Sequence, residues 1–226
     1  MTQIITLIGD PGGGKSTLGK LLAMIFAYVR PDIPRFSNVT VGEDVAVRVE
    51  DMNKLIAMKL IRRDHSEMFN LEDEAAQTGL ESRGSGSKAA AIESRVITHS
   101  RKAGSWLVLV AQLKSMLDKR AQWTEAISIL CEAVFEDGNI STVPDSFQFT
   151  VFDKDLNYLG EFGIDTDDCL NHIWPGMDTY DIPDFENFKK TFETYWGIGE
   201  RDNQEYENYM RKAHLYAKAE GIPVGR

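Results

Sequence analysis

The chain has 226 residues, 42% hydrophobic and 27% charged, with a formal net charge of −10. That is enough to bury the core of one α/β domain, and the acidic balance excludes a protein that grips nucleic acid with its whole surface. Two widely spaced cysteines, Cys131 and Cys169, exclude a disulfide framework or a CxxC zinc site, and no apolar run approaches the roughly 20 residues that span a bilayer.

The expectation is therefore a cytoplasmic protein without membrane contact. Acids dominate from Asp145 to Glu207, whereas Lys and Arg recur between Lys54 and Arg120. Any basic face for a polyanion belongs to that middle region.

In chain order, Ile4 to Ile8 is a short apolar run that breaks at Gly9. Leu18, Leu21, Leu22, Ile25, Phe26 and Val29 then recur at helical spacing. The pattern is strand, glycine loop, helix, with Pro31 and Pro34 stopping the helix because proline cannot continue its hydrogen-bond ladder. Asn38 to Val41 and Val45 to Val49 are rich in strand formers. An amphipathic helix over Asp51 to Arg62 follows, with Asp51 placed to cap it.

Glu67 to Leu71 reads as a core strand running into Glu72, Asp73 and Glu74. The glycine- and serine-rich stretch Gly79 to Lys88 reads as a loop, and a helix from Ala89 to Ala103 ends at Gly104. Ser105 to Ala111, SWLVLVA, is continuously apolar, as a parallel strand covered on both faces should be. Further strands are expected at Ser128 to Phe135, Phe147 to Phe152 and Tyr158 to Phe162, the last two joined as a hairpin by Asp155 to Asn157.

Beyond Pro183 the pattern is helical and charged, over Asp184 to Trp196 and Asn203 to Glu220. These elements predict an α/β domain over residues 1–182, a mainly parallel sheet flanked by helices and closed by a hairpin, and a helical extension over 183–226. Gly9, Asp73 and Gln112 all fall at carboxyl ends of strands, where such sheets bind ligands.

Gly9-Asp10-Pro11-Gly12-Gly13-Gly14-Lys15-Ser16 fits GxxxxGK[ST] between a strand and a helix, the mark of a P-loop NTPase. Glycines let backbone N–H groups curl around phosphate, and the helix start adds its positive dipole end. Lys15 is placed to reach the β and γ phosphates of ATP, Ser16 to ligate Mg²⁺, and Thr17 to lie near the α phosphate.

Asp73 is the expected metal carboxylate and Glu74 the base for the attacking water; a one-residue shift, with Glu72 on the metal and Asp73 beside the water, stays open. Gln112 is placed to touch the γ phosphate or the water. For an arginine finger, Arg83, Arg95, Arg101 and Arg120 are all available. The four histidines show no ligand spacing.

With these residues in view, GDPGGGKST, SNVTVGEDVAVRVEDMNKL, FNLEDEA followed by SR, and HSRKAGSWLVLVAQLKSMLDKR resemble the FtsK/HerA superfamily. More narrowly the chain is similar to viral genome-packaging ATPases and zonula occludens toxin-like phage assembly ATPases, over roughly Thr2 to Arg120. The resemblance implies a homo-oligomeric ring that moves double-stranded DNA with ATP and Mg²⁺; the acid-rich C-terminal portion lies outside it and is open to subunit contacts or to docking on a capsid or portal-vertex protein. In it Arg83 matches the arginine that follows the DEA motif, Arg101 the one ending the next helix, and Gln112 a sensor. Two competing readings remain, a RecA-like replicative helicase and a slow nucleotide-switched interaction module; a small nucleotide kinase shares the glycine loop but needs an arginine-rich lid, and Gly79 to Lys88 is short with only Arg83 and Lys88.

Overall fold

The computed structural model describes residues 4–75, 95–117, 119–135 and 143–178, with 189, 190, 204, 208 and 211 as isolated positions. The chain divides into two units, Met1–Pro183 and Asp184–Arg226, and the sheet lies in the first. Its elements in chain order are β1 (Ile4–Ile8), α1 (Lys15–Val29), β2 (Arg35–Ser37), β3 (Val47–Arg48), α2 (Met52–Arg62) and β4 (Met68–Glu72). Next come the described part of α3 (95–99), which tightens into a 3₁₀ turn over Ser100–Ala103, then β5 (Ser105–Ala111) and α4 (Lys119–Thr124). The antiparallel strands are β7 (Ser146–Asp153) and β8 (Tyr158–Asp165), reached through β6 (Ile127–Val134); helical turns over Thr166–Ile173 follow.

Among the described residues the strands form one eight-stranded sheet in the order β3-β2-β4-β5-β1-β6-β7-β8. All pairings from β3 through β6 are parallel, and β7 and β8 add on antiparallel. The expected α/β sheet is thus present, with the hairpin at one edge.

Pleat alternation divides the core into two layers. Leu7, Phe69, Leu71, Val108 and Val110 pack on Leu18 and Ala23 of α1, whereas Met68, Leu107, Leu109 and Ala111 pack on Met52 and Ile56 of α2. Strand β5 is buried on both faces because it sits between β4 and β1 with helices above and below, and that is why its sequence is continuously apolar.

Local signals account for most boundaries. Asp51 accepts a hydrogen bond from the Lys54 N–H at 2.8 Å and so caps α2. Gly104 closes the turn after α3 at φ 72°, a left-handed cap of the kind glycine supplies. The expectation of strand over Asn38 to Val41 is corrected, since β2 ends at Ser37. Likewise only Val47–Arg48 of the second β-rich piece pairs. The Gly79 to Lys88 loop, and Arg83 within it, lie outside the described residues, as does nearly all of the C-terminal helical pattern.

Candidate active site

The phosphate loop joins β1 to α1 at the carboxyl edge of the sheet. Two close approaches explain its glycines. Gly9 has φ 146°, and a Cβ there would lie 2.1 Å from the Cys131 carbonyl oxygen on β6; Gly14 has φ 84°, and a Cβ there would meet the Phe147 ring at 2.5 Å. Larger residues would push the loop off the sheet. Gly14 is also the N-cap of α1, with no side chain capping the helix. The helical ladder begins at Leu18 N–H to Gly14 O, 2.9 Å. Amides of the first turn therefore have no intrahelical acceptor and face an anion site.

A cavity of about 550 Å³ opens at that helix start, lined by Gly12, Gly14, Lys15, Ser16 and Thr17 on the loop and by Asp73 across from it. Ser16 donates its hydroxyl to Asp73 Oδ2 at 2.6 Å. Lys15 donates to the carbonyls of Gly9 (2.9 Å) and Asp10 (2.7 Å), and burial lowers its pKa. Its ammonium is thus held by main-chain dipoles that a phosphate would outcompete.

Asp73 is 9% exposed, and burial raises its carboxyl above the usual range. Its other oxygen accepts the Glu74 N–H at 2.8 Å. Asp73 leaves β4 on the α1 face, in phase with Phe69 and Leu71, whereas Glu72 points with Met68 toward the α2 layer. The chain therefore brings Asp73, and not Glu72, to Ser16.

A hydroxyl and a carboxylate converging beside a phosphate-sized, amide-lined recess suit Mg²⁺, which keeps most of its water and takes one or two protein oxygens plus phosphate oxygens. No group of three or more His, Cys, Asp or Glu forms a metal cage among the described residues. The site fits a cation shared with substrate.

Glu74 follows at φ 49°, a left-handed conformation unusual for a residue with a side chain. Burial raises its carboxyl, with Asp73 as a second cause and Lys15 opposing, so its charge is felt in the same crevice. Gln112 directly follows β5, and its carbonyl accepts the Gly9 N–H at 3.1 Å. The residue lines a second cavity of about 420 Å³ behind the loop, together with Gly9, Asp10, Pro11, Gly13 and Lys114.

Arg101 is exposed in the turn before β5. The loop sits past the other end of this seven-residue strand, roughly 20 Å away, so the chain does not bring Arg101 to its own site. Arg95 is likewise exposed on α3. Arg120 lies on α4, and its side chain falls outside the described residues.

Three features carry no local sequence signal. The segment Trp174–Asp178 forms the far wall of the main cavity with Val143, Pro144 and Phe147. It is pinned to α1 by Trp174 Nε1 donating to Thr17 Oγ1 at 2.9 Å and by Lys20 Nζ donating to the Pro175 carbonyl. That wall gives the cavity an apolar, aromatic side next to Thr17. Glu125, buried under the Gln112 loop, accepts from Thr6 at 2.5 Å, from Ser128 at 3.0 Å and from Lys114. Asn38, also buried, bonds the Asp73 backbone.

The fold and its glycine loop define the class: a P-loop NTPase. No protein-family profile matches the sequence, and no curated protein matches it. Among solved structures, the chain is similar to the N-terminal domain of zonular occludens toxin from Neisseria meningitidis, at 13% identity, 79% of this chain, 100% of that one and a TM-score of 0.51. It also matches the genome packaging NTPase B204 of Sulfolobus turreted icosahedral virus 2 in complex with ATP-gammaS, at 15% identity, 70% and 95% coverage and a TM-score of 0.48. The cytoplasmic domain of the type VII secretion ATPase EccC from Thermomonospora curvata matches at 12% identity, 70% and 23% coverage and a TM-score of 0.44. At these identities the likeness is one of fold. No helix among the described residues is long and apolar enough to cross a membrane.

Proposed function

We propose that the chain hydrolyses ATP and uses the turnover to move double-stranded DNA, most specifically as a viral genome-packaging motor in the cytoplasm of a host or in the virion. The observation that carries the ATPase reading is the 2.6 Å contact of Ser16 with Asp73 at the mouth of the phosphate loop. It joins the two protein oxygens that a phosphate-bound Mg²⁺ requires.

In this reading the amides of Gly12 to Thr17 hold the phosphates, and Lys15 swings from its carbonyl partners to the β and γ oxygens. Ser16 and Asp73 would hold Mg²⁺, which would supply charge neutralisation on the phosphate oxygens. Glu74 takes a proton from water as the water oxygen bonds to the γ phosphorus and the bond to ADP breaks. Its partly dry setting, and after that its neighbour Asp73, hold the Glu74 carboxyl above the ordinary range, which makes it a better proton acceptor once ionised.

The DNA part rests on the sequence resemblance over Thr2 to Arg120. A homo-oligomeric ring follows from the same resemblance. In that ring one of Arg83, Arg101 and Arg120 enters the neighbour's crevice, and the exposed position of Arg101 at the far end of β5 suits delivery to a partner better than service at its own loop. A capsid or portal-vertex protein is the docking partner.

Turnover measured alone, with duplex DNA, with single-stranded DNA and with nucleoside monophosphates tests the assignment. Stimulation by duplex supports the motor. Preference for single strands supports the helicase, stimulation by a monophosphate a kinase, and binding without turnover a switch.

A further inference from the structure

Strand β2 stops pairing with β4 at Ser37, opposite Leu71, one step after which the Asn38 N–H still donates to the Leu71 carbonyl at 3.2 Å. There the backbone of β2 turns away, and the Val39 N–H closes onto Ser37 Oγ at 3.2 Å. The ladder nevertheless continues for one more residue past β4. Asn38 Nδ2 donates to the Asp73 carbonyl at 2.9 Å, and Asn38 Oδ1 accepts the Asp73 N–H at 2.7 Å.

A side-chain amide carries one donor face and one acceptor face, like a peptide group. Here it stands in for the missing strand and grips Asp73 by both backbone polar atoms. Asn38 is 2% exposed, so water cannot replace either bond. On the β5 side, Ala75 N–H donates to the Val110 carbonyl at 2.8 Å, and the segment carrying Asp73 is thereby held from both flanks. From that backbone the carboxylate places one oxygen on Ser16 and the other on the Glu74 N–H.

Resting on the ATPase reading, we propose that Asn38 is a positioning residue for the metal carboxylate: its amide sets the Asp73 backbone so that the carboxylate is kept beside Ser16, where the two side chains would take up Mg²⁺. The same strap reaches the opposite wall of the cavity. Val39 lines the cavity, and the Thr40 carbonyl accepts the Asp178 N–H at 3.0 Å. One short segment thus ties the metal side of the crevice to the wall carrying Trp174.

The test is the binding of a fluorescent ADP analogue to the full-length chain, in EDTA and across a Mg²⁺ titration, for the parent, Asn38→Ala and Asn38→Asp. The last variant is isosteric, keeps the acceptor for the Asp73 N–H and loses the donor. The expected result is metal-free affinity within about twofold of the parent, with the gain in affinity conferred by Mg²⁺ falling about 10- to 100-fold in Asn38→Ala, the range found when partners that orient a metal ligand are removed. Asn38→Asp should lose part of that gain. A merely structural role would weaken metal-free binding and leave the gain unchanged, and that result overturns the assignment. Should Asn38→Ala fail to fold, Asn38→Asp decides by the same ratio. A parent that gains nothing from Mg²⁺ overturns the ATPase reading itself, whereas a parent that gains and variants that gain equally overturn only the role of Asn38.

Discussion

The phosphate loop separates two unlike surroundings. On its α1 side, Gly12, Gly14, Lys15, Ser16 and Thr17 face Asp73 and an apolar wall built from Val143, Pro144, Phe147, Trp174 and Met177. On its β6 side, Gly9, Asp10, Pro11 and Gly13 face Gln112, Lys114, Cys131 and Glu132. The first side pairs a cation, a hydroxyl and a carboxylate around a helix start. The second packs the loop against strand carbonyls, and the buried Cys131 thiol, pushed up to about 12, stays protonated and chemically quiet. One motif thus has two environments: Gly12 and Gly14 to Thr17 line the α1-side cavity, whereas Gly9, Asp10, Pro11 and Gly13 lie on the β6 side, with Gly9 close against the Cys131 carbonyl.

That difference predicts unequal responses to substitution. Glu74→Gln should have the largest effect, reducing turnover about 10²- to 10⁴-fold while ATP stays bound, as a filter-binding assay beside a phosphate-release assay will show. Lys15→Ala should reduce turnover about 10²- to 10³-fold, the cost of one preorganised donor to a transition-state oxygen, and weaken nucleotide binding as well. Lys15 lines the α1-side cavity, and Glu74 directly follows Asp73, which lines it from across the loop.

Asp73→Asn should abolish most Mg²⁺-dependent binding without lowering the metal-free melting temperature. The sign follows from burial, which raises the Asp73 pKa above its ordinary value. Its ionised form therefore opposes folding increasingly as pH rises from that ordinary value through the raised one, and an amide carries no such cost. By the same linkage, Mg²⁺-dependent binding in the parent should fade as pH drops through a value above that of an ordinary aspartate. A melting curve at neutral pH and a Mg²⁺ titration against pH check the two halves. The smallest effect is expected from the β6 side: Gln112→Ala should slow turnover about fivefold, the worth of one neutral hydrogen bond, and leave ATP affinity unchanged in the same assays.

Much of this site is legible in the sequence because its signals are local. The glycine spacing, the apolar run of β1, the helical period from Leu18 and the uninterrupted SWLVLVA of β5 each follow from neighbours a few residues apart. The choice between Asp73 and Glu72 needs only the phase of β4 relative to α1, which packing supplies and a single sequence does not.

The features without such a signal act across long separations. Asn38 reaches Asp73 35 residues on, and Trp174 reaches Thr17 across 157. The expectation of strand over Asn38 to Val41 fails for the same reason: at Asp73 the Asn38 side chain, not the main chain, makes the pairing. Arg101 offers a different lesson. A residue just before a strand lies at its amino end, opposite the ligand edge, so its place follows from element order alone.

For the site to work as an ATPase, Ser16 and Asp73 must part to admit a metal while the first-turn amides hold phosphate. A crystal structure with Mg²⁺ and a non-hydrolysable ATP analogue tests this most directly. It should show phosphates against the amides of Gly12 to Thr17, the ion touching Ser16 Oγ with Asp73 in its coordination or water shell, and the direct 2.6 Å contact opened. Nucleotide bound elsewhere, or Asp73 turned from the ion while Glu72 replaces it, would contradict that picture.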